Sequence, residues 1–131
     1  KNKHKINERE RQRKKRDINY KIKCSLRTRI SGIVSGKLKS GSAVRDLGCS
    51  IDELKQRFES MFYVHPKTGE TMTWGNYGQS GWQIDHIIPL SKFDLTDRDQ
   101  FLKACHYTNL QPLWMEDNYS KNDKLDWKKK K

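Results

Sequence analysis

Apolar residues recur at helical intervals in some stretches and run together in others, and this sets the expected order of elements. Between Tyr20 and Leu38, the residues Ile22, Leu26, Ile30, Ile33 or Val34, and Leu38 share one helical face, while Lys21, Lys23, Arg27, Arg29 and Lys37 take the other. That spacing predicts an amphipathic helix with one side for a small core and one for phosphates. The preceding run, KNKHKINERERQRKKRDINY, has only Ile6, Ile18 and Tyr20 as bulky apolar side chains, so it reads as an exposed helix or an arm that orders on a partner. KSGSA is a linker by composition. In DLGCSIDELKQRFESMF, Gly48 is a stop, and Ser50 with Glu53 forms a capping box ahead of Ile51, Leu54, Phe58 and Phe62.

The second half changes character. VHPKTGETMTWGNYGQSG is rich in Gly, Pro and Asn and predicts turns with a short hairpin. WQIDHII reads as a strand ended by Pro89, and LTDRDQFLKACHY as a short helix with Thr96 as its N-cap. NLQPLW is a second strand, held to an edge or bulged position by Pro112. MEDNYSKNDKLDW is helical in character. The expected fold class is α+β.

Composition sharpens this picture. The chain has 131 residues with 33% hydrophobic and 34% charged, which implies one domain with a small core. Its net charge of +12 is unevenly placed: residues 1–45 carry 16 Lys/Arg against 3 acids, residues 46–120 carry 6 against 11, and residues 121–131 carry 6 against 2. A mildly acidic body between basic ends points to nucleic acid before an anionic membrane surface, and the arm has no wide apolar face to insert. No apolar run approaches the length of a membrane span, and no signal peptide is visible. Cys24, Cys49 and Cys105 form no CxxC pair, so they read as reduced, mostly buried thiols, and neither a disulfide framework nor a structural zinc is expected. The expected location is intracellular: cytoplasmic, or nuclear within a virus-infected host cell, and not secreted. A first residue other than Met fits a piece of a longer protein.

Asp85 and His86 are the anomaly. An apolar strand can be built from Trp, Ile and Leu alone, and placing these two at its centre costs desolvation unless both find partners. Neighbours on a strand face opposite ways, so the two cannot share one core. Asp85 offers a hard oxygen ligand, and His86 an imidazole that takes up a proton near neutral pH. The Asn109 amide could tie the two strands together by bonding backbone groups. Asn118 and Lys121 lie one helical turn apart and would present a neutral oxygen ligand and a cation together, suiting a phosphate bound to Mg²⁺. Taken alone, Asp85 is equally a cap and His86 a satisfied core histidine. His106 and His65 read as scaffold residues, His4 has no visible partner, and Trp74, Trp82 and Trp114 read as core.

Together, IDHIIPL and HYTNLQPLWMEDNYSK resemble the HNH motif of the ββα-metal nuclease superfamily, with Asn118 where many relatives have His. The interval from Asn109 to Asn118 resembles that in the HNH domain of RNA-guided effectors. The run from LGCSIDELKQRFESMF through MTWGNYG to NLQPLW resembles small HNH proteins of phages, large viruses and bacteria, and the basic start resembles their helical leader. The resemblance covers about two thirds of the chain. It implies a ββα-metal core at about 82–125 within an HNH domain at 46–127, preceded by a basic helical DNA-binding arm and amphipathic helix at 1–45 and followed by a basic tail at 128–131. It implies that His86 is the general base, that Asp85 and Asn118 bind a single Mg²⁺ or Mn²⁺, and that Asn109 orients the loop and the histidine. To these the charge pattern adds Lys121 as a phosphate contact, and Arg13, Lys14, Lys15, Arg16, Lys23, Arg27 and Arg29 as DNA-backbone contacts. The implied activity is hydrolysis of DNA phosphodiesters, with a dimer needed if one binding event is to cut both strands. The competing expectation is a non-catalytic DNA-binding module on an HNH scaffold within a larger assembly.

Overall fold

The computed structural model describes residues 2–78, 80–122, 124, 125 and 127, with the side chains of residues 2–7 left aside. The basic tail expected at 128–131 and the side chain of His4 lie outside the described residues. Helices α1 (Asn2–Val34), α2 (Ser42–Arg45) and α3 (Ile51–Met61) precede strand β1 (Trp82–His86); helix α4 (Arg98–Cys105), strand β2 (Leu110–Trp114) and helix α5 (Met115–Lys121) follow. The strands pair antiparallel, with Trp82 opposite Trp114 and Asp85 opposite Gln111, so the chain is α+β.

The arm and the amphipathic helix are one element. The polar stretch and the apolar-faced stretch run without interruption from Asn2 to Val34. A left-handed Gly36 ends it, and the amides of Lys37 and Leu38 return to the Gly32 carbonyl. Leu38 therefore lies past the helix, over Gly32, and is not on the helical face that its spacing suggested. The expected boundary near residue 45 is crossed by the core itself: Ile30, Ile33 and Val34 of α1 are buried with Leu47, Leu54, Phe58 and Leu110.

Helix α3 starts as its sequence dictates. Ser50 accepts from the Glu53 amide, and Glu53 accepts from the Ser50 amide, giving the reciprocal box. Helix α4 starts later than expected. Asp94 draws Thr96 into a local turn by accepting from its amide and hydroxyl at 3.1 and 2.6 Å, so Thr96 is unavailable as a cap and Asp97 takes that position. The same Asp94 holds α1 through Lys15 at 3.2 Å, while the Leu95 amide donates to Asn19 at 2.7 Å. In the turn-rich stretch, Val64 and Thr71 form a single antiparallel bridge.

An aromatic cluster supports β1. Trp82 is fully buried among Phe58, Phe62, Trp74 and Tyr77, and its indole donates to the Thr73 carbonyl at 2.6 Å. Trp114 donates to the Tyr63 carbonyl, and Trp74 to Glu59. Gly81 leads into the strand where a Cβ would collide with the Asn76 carbonyl at 1.7 Å, so only glycine fits this approach. From α3, Arg57 donates to the carbonyls of Thr108 and Leu110 and fixes the start of β2.

The thiols differ from expectation in one respect. Cys105 is buried and Cys49 half-buried, but Cys24 is exposed, because it lies on the solvent side of α1 rather than among its apolar positions. Among the described residues, no helix is long and apolar enough to cross a membrane.

Candidate active site

Strands β1 and β2 and helix α5 bring the polar residues of the second half to one cleft of about 670 Å³, whose walls include Asp85, His86, Asn118 and Lys121, with Lys23 and Arg27 from α1. The strand alternation sorts the side chains. Gln83 and Asp85 face α5, where Gln83 accepts from Asn118 at 2.7 Å. Trp82 and Ile84 pack on the opposite side, against the aromatic cluster.

Asp85 is buried and doubly partnered. Gln111, opposite it on β2, donates to one carboxylate oxygen at 2.9 Å. Lys121 approaches both oxygens, at 3.2 and 3.4 Å, and donates to the His86 carbonyl at 2.9 Å. Burial raises the Asp85 pKa, outweighing the opposing effects of the Gln111 bond and the Lys121 charge.

Lys121 corrects the sequence reading. An ammonium expected to meet a phosphate is only 3% exposed and is held by Asp85 and a backbone carbonyl. The reason is electrostatic: a buried carboxylate needs a compensating charge, and α5 carries Lys121 one turn beyond Asn118 to the place where Asp85 lies.

His86 is 7% exposed, and its Nε2 is buried with no hydrogen-bond partner among the described residues. Burial first, then the charges of Arg27, Lys121 and Lys23, pull its pKa down to about 4. The imidazole is therefore neutral at pH 7 and keeps a lone pair available. Linkage makes this measurable. The unfolded chain takes up a proton near pH 6.5 and the folded chain only near 4, so stability present above pH 6.5 is lost as pH falls towards 4. Between pH 7 and pH 5 the loss attributable to His86 is about 2 kcal/mol, while the raised Asp85 pKa acts in the opposite sense. Urea denaturation in EDTA at both pH values should show this slope in the native sequence and a flatter one in His86→Gln.

Asn109 is a clamp. Its amide nitrogen donates to the carbonyls of Ile88 and Ala104, each at 3.2 Å, and its oxygen accepts from the Ile88 amide at 2.7 Å. Its backbone carbonyl also accepts from Ile87. It thus fixes the segment leaving β1, just after His86, against the turn that enters β2. His106 pairs with Thr108 and packs where a Gly48 Cβ would sit, and His65 accepts from the Lys67 and Thr68 amides while its other nitrogen meets Glu116. Both hold turns rather than face the cleft.

The α1 cations separate into groups. Lys23 and Arg27 line the cleft, and Arg13, Lys14 and Arg16 are exposed further along the helix. Lys15 is engaged by Asp94, and Arg29 lies on another side, beside Asp46 and Cys105. Sequence reasoning missed Gln83 and Gln111. Gln111 would follow from an antiparallel register placing it opposite Asp85, but the long excursion between the strands leaves that register unspecified by any turn.

Among the described residues, no three His, Cys, Asp or Glu side chains gather as a metal-binding group. Among the described residues Asp85 is the one carboxylate on the cleft, and the Asn118 amide, whose nitrogen donates to Gln83, is one of several neutral oxygen groups that line it with Asp85.

Two uncharacterized proteins of Acanthamoeba polyphaga mimivirus are similar to this chain: one is 34% identical over 121 residues, covering 92% of the chain and 50% of that protein, and the other is 30% identical over 116 residues, covering 88% and 47%. The chain thus spans about half the length of these curated relatives. No protein-family model matches the chain, and no solved structure does.

Proposed function

We propose that this chain is an HNH-type DNA endonuclease that hydrolyses phosphodiesters with His86 as general base and one divalent cation at Asp85 and Asn118. The observation that carries the reading is the buried, neutral His86 imidazole with an unmet Nε2, on a cleft walled by cations. An unsatisfied buried polar atom costs stability, and such costs concentrate where a group has a task other than packing. The motif resemblance around Asp85, Asn109 and Asn118 supports the same assignment.

The donors suit Mg²⁺ or Mn²⁺, which take hard oxygens, accept few protein ligands and complete their shell with water and phosphate oxygens. Bound there, the cation would stabilise charge building on the scissile phosphate and the leaving oxygen. The chain's own residues do the rest. His86, neutral well below pH 7, accepts a proton from the attacking water. Asn109 holds the backbone just after that histidine. Lys23 and Arg27 bring positive charge to the cleft. Lys121 neutralises Asp85 and competes with any cation for its oxygens.

That competition favours a second reading, a DNA-binding module without catalysis. Incubation with supercoiled plasmid separates the two: the nuclease nicks it in Mg²⁺ and not in EDTA. Retarded but intact plasmid in both Mg²⁺ and Mn²⁺ would select the binding module.

A further inference from the structure

Helix α1 carries a pattern that its composition conceals. At 100° per residue, Arg9, Arg13, Arg16, Tyr20, Lys23 and Arg27 fall at intervals of four, three, four, three and four, within about 40° of a single line along the helix. The three acids of this helix, Glu8, Glu10 and Asp17, lie roughly 80–100° away from that line. Leu26 and Ile33 point to the core at about 100–120° from it, and the buried side chains nearer the line, Ile30 and Val34, come only after Arg27, where the stripe has ended. The stripe is thus a flank of α1, about 27 Å long, and its last two cations form part of the cleft wall opposite His86 and Asp85. Among the described residues, none of its five cations makes an ion pair, whereas Lys15 and Arg11, off the line, both do.

Tyr20 interrupts the cations at the middle of the stripe and is 65% exposed. Its ring belongs to none of the apolar clusters among the described residues. Across the cleft, Tyr119 of α5 is 78% exposed and also lines the wall. A track of cations punctuated by exposed aromatic rings is what single-stranded nucleic acid requires, since the cations follow the phosphates and the rings stack unpaired bases. Paired bases in a duplex offer no such face to a ring beside the backbone.

We propose that the flank of α1 formed by Arg9, Arg13, Arg16, Tyr20, Lys23 and Arg27 binds a single-stranded DNA segment and leads it to the cleft at His86. The substrate class is then DNA with an unpaired strand, such as a flap, a gap or a melted region. The proposal rests on the nuclease reading only for what happens at the end of the track. Binding measured in EDTA is independent of cleavage, so the two can fail separately.

The test is fluorescence anisotropy of the full chain in EDTA with a labelled 15-nucleotide single strand and with the duplex of the same sequence, over a salt series. The single strand is expected to bind more tightly, with a log–log salt slope of about −3.5 for five phosphate contacts. Arg13→Gln with Arg16→Gln should reduce that slope by about 1.4, while Arg11→Gln with Lys103→Gln, off the stripe, should leave it nearly unchanged. Tyr20→Ala should weaken single-strand binding about tenfold, and Tyr20→Phe should restore it. Circular dichroism of each variant checks that α1 is intact. Equal or tighter binding of the duplex would overturn the proposal. So would an off-stripe pair as damaging as the stripe pair, or a Tyr20→Ala variant that binds like the native chain.

Discussion

Replacing His86 by alanine is expected to lower the rate of plasmid nicking by about 10²- to 10⁴-fold, the range a positioned general base contributes. DNA affinity should stay within about twofold, because the imidazole is neutral at pH 7 and adds no charge to the phosphate track. Folding should survive. The native side chain already leaves Nε2 unbonded, so its removal breaks no hydrogen bond made by that atom. Single-turnover nicking at saturating protein, with a thermal melt of the same sample, separates loss of chemistry from loss of structure. His86→Gln should be equally slow, since an amide keeps polarity and most of the volume but cannot take the proton.

The second large effect falls on stability. Lys121→Met leaves the buried Asp85 carboxylate with Gln111 as its only partner among the described residues. Breaking a buried pair from one side costs about 3–5 kcal/mol, because the remaining charge is uncompensated. Both side chains are almost wholly buried, so solvent does little to screen the loss. Asp85 also has an escape: its pKa is already raised, and without Lys121 it rises further, so the deficit should shrink as pH falls towards the carboxylate range. Urea denaturation at pH 7 and pH 5 reads this directly. The double variant Asp85→Asn with Lys121→Met should recover most of the loss. Recovery of that kind would show that the pair is not a net source of stability and that its retention needs another reason.

Local chemistry was the legible part of the fold. The Ser50–Glu53 box, the two strands either side of an excursion, and the helix after β2 were all written in residues that act on their near neighbours. Where expectation and structure part, a distant contact decides. Thr96 would cap α4 in isolation, but Asp94, which also grips α1, takes it first. Leu38 fits the helical spacing, but Gly36 ends the helix before it. The polar start of α1 reads equally as a helix or as an arm, and nothing in it fixes that it runs unbroken into a helix whose far end lies in the core.

The candidate site divides in the same way. That Asp85 and His86 were anomalous in an apolar strand was visible at once. Which groups answer them was not, since Lys121 and Gln111 reach Asp85 only after β2 and α5 have folded against β1. Helical spacing beside Asn118 gives Lys121 its expected role and charge gives Arg29 its own, and neither says which groups a side chain meets once the elements pack. The stripe on α1, by contrast, needs only the helix and a count along it.

The central claim is that His86 acts as a base in hydrolysis of DNA, and one paired measurement tests it most directly. Native chain and His86→Ala are each incubated with supercoiled plasmid in Mg²⁺, at concentrations that saturate binding in a parallel EDTA titration. The account predicts open-circular product from the native chain, a loss of about two orders of magnitude or more in the variant, and matching affinities for both. Nicking at the same rate in both proteins, or none by a native chain that binds plasmid under Mg²⁺ and Mn²⁺, would contradict it.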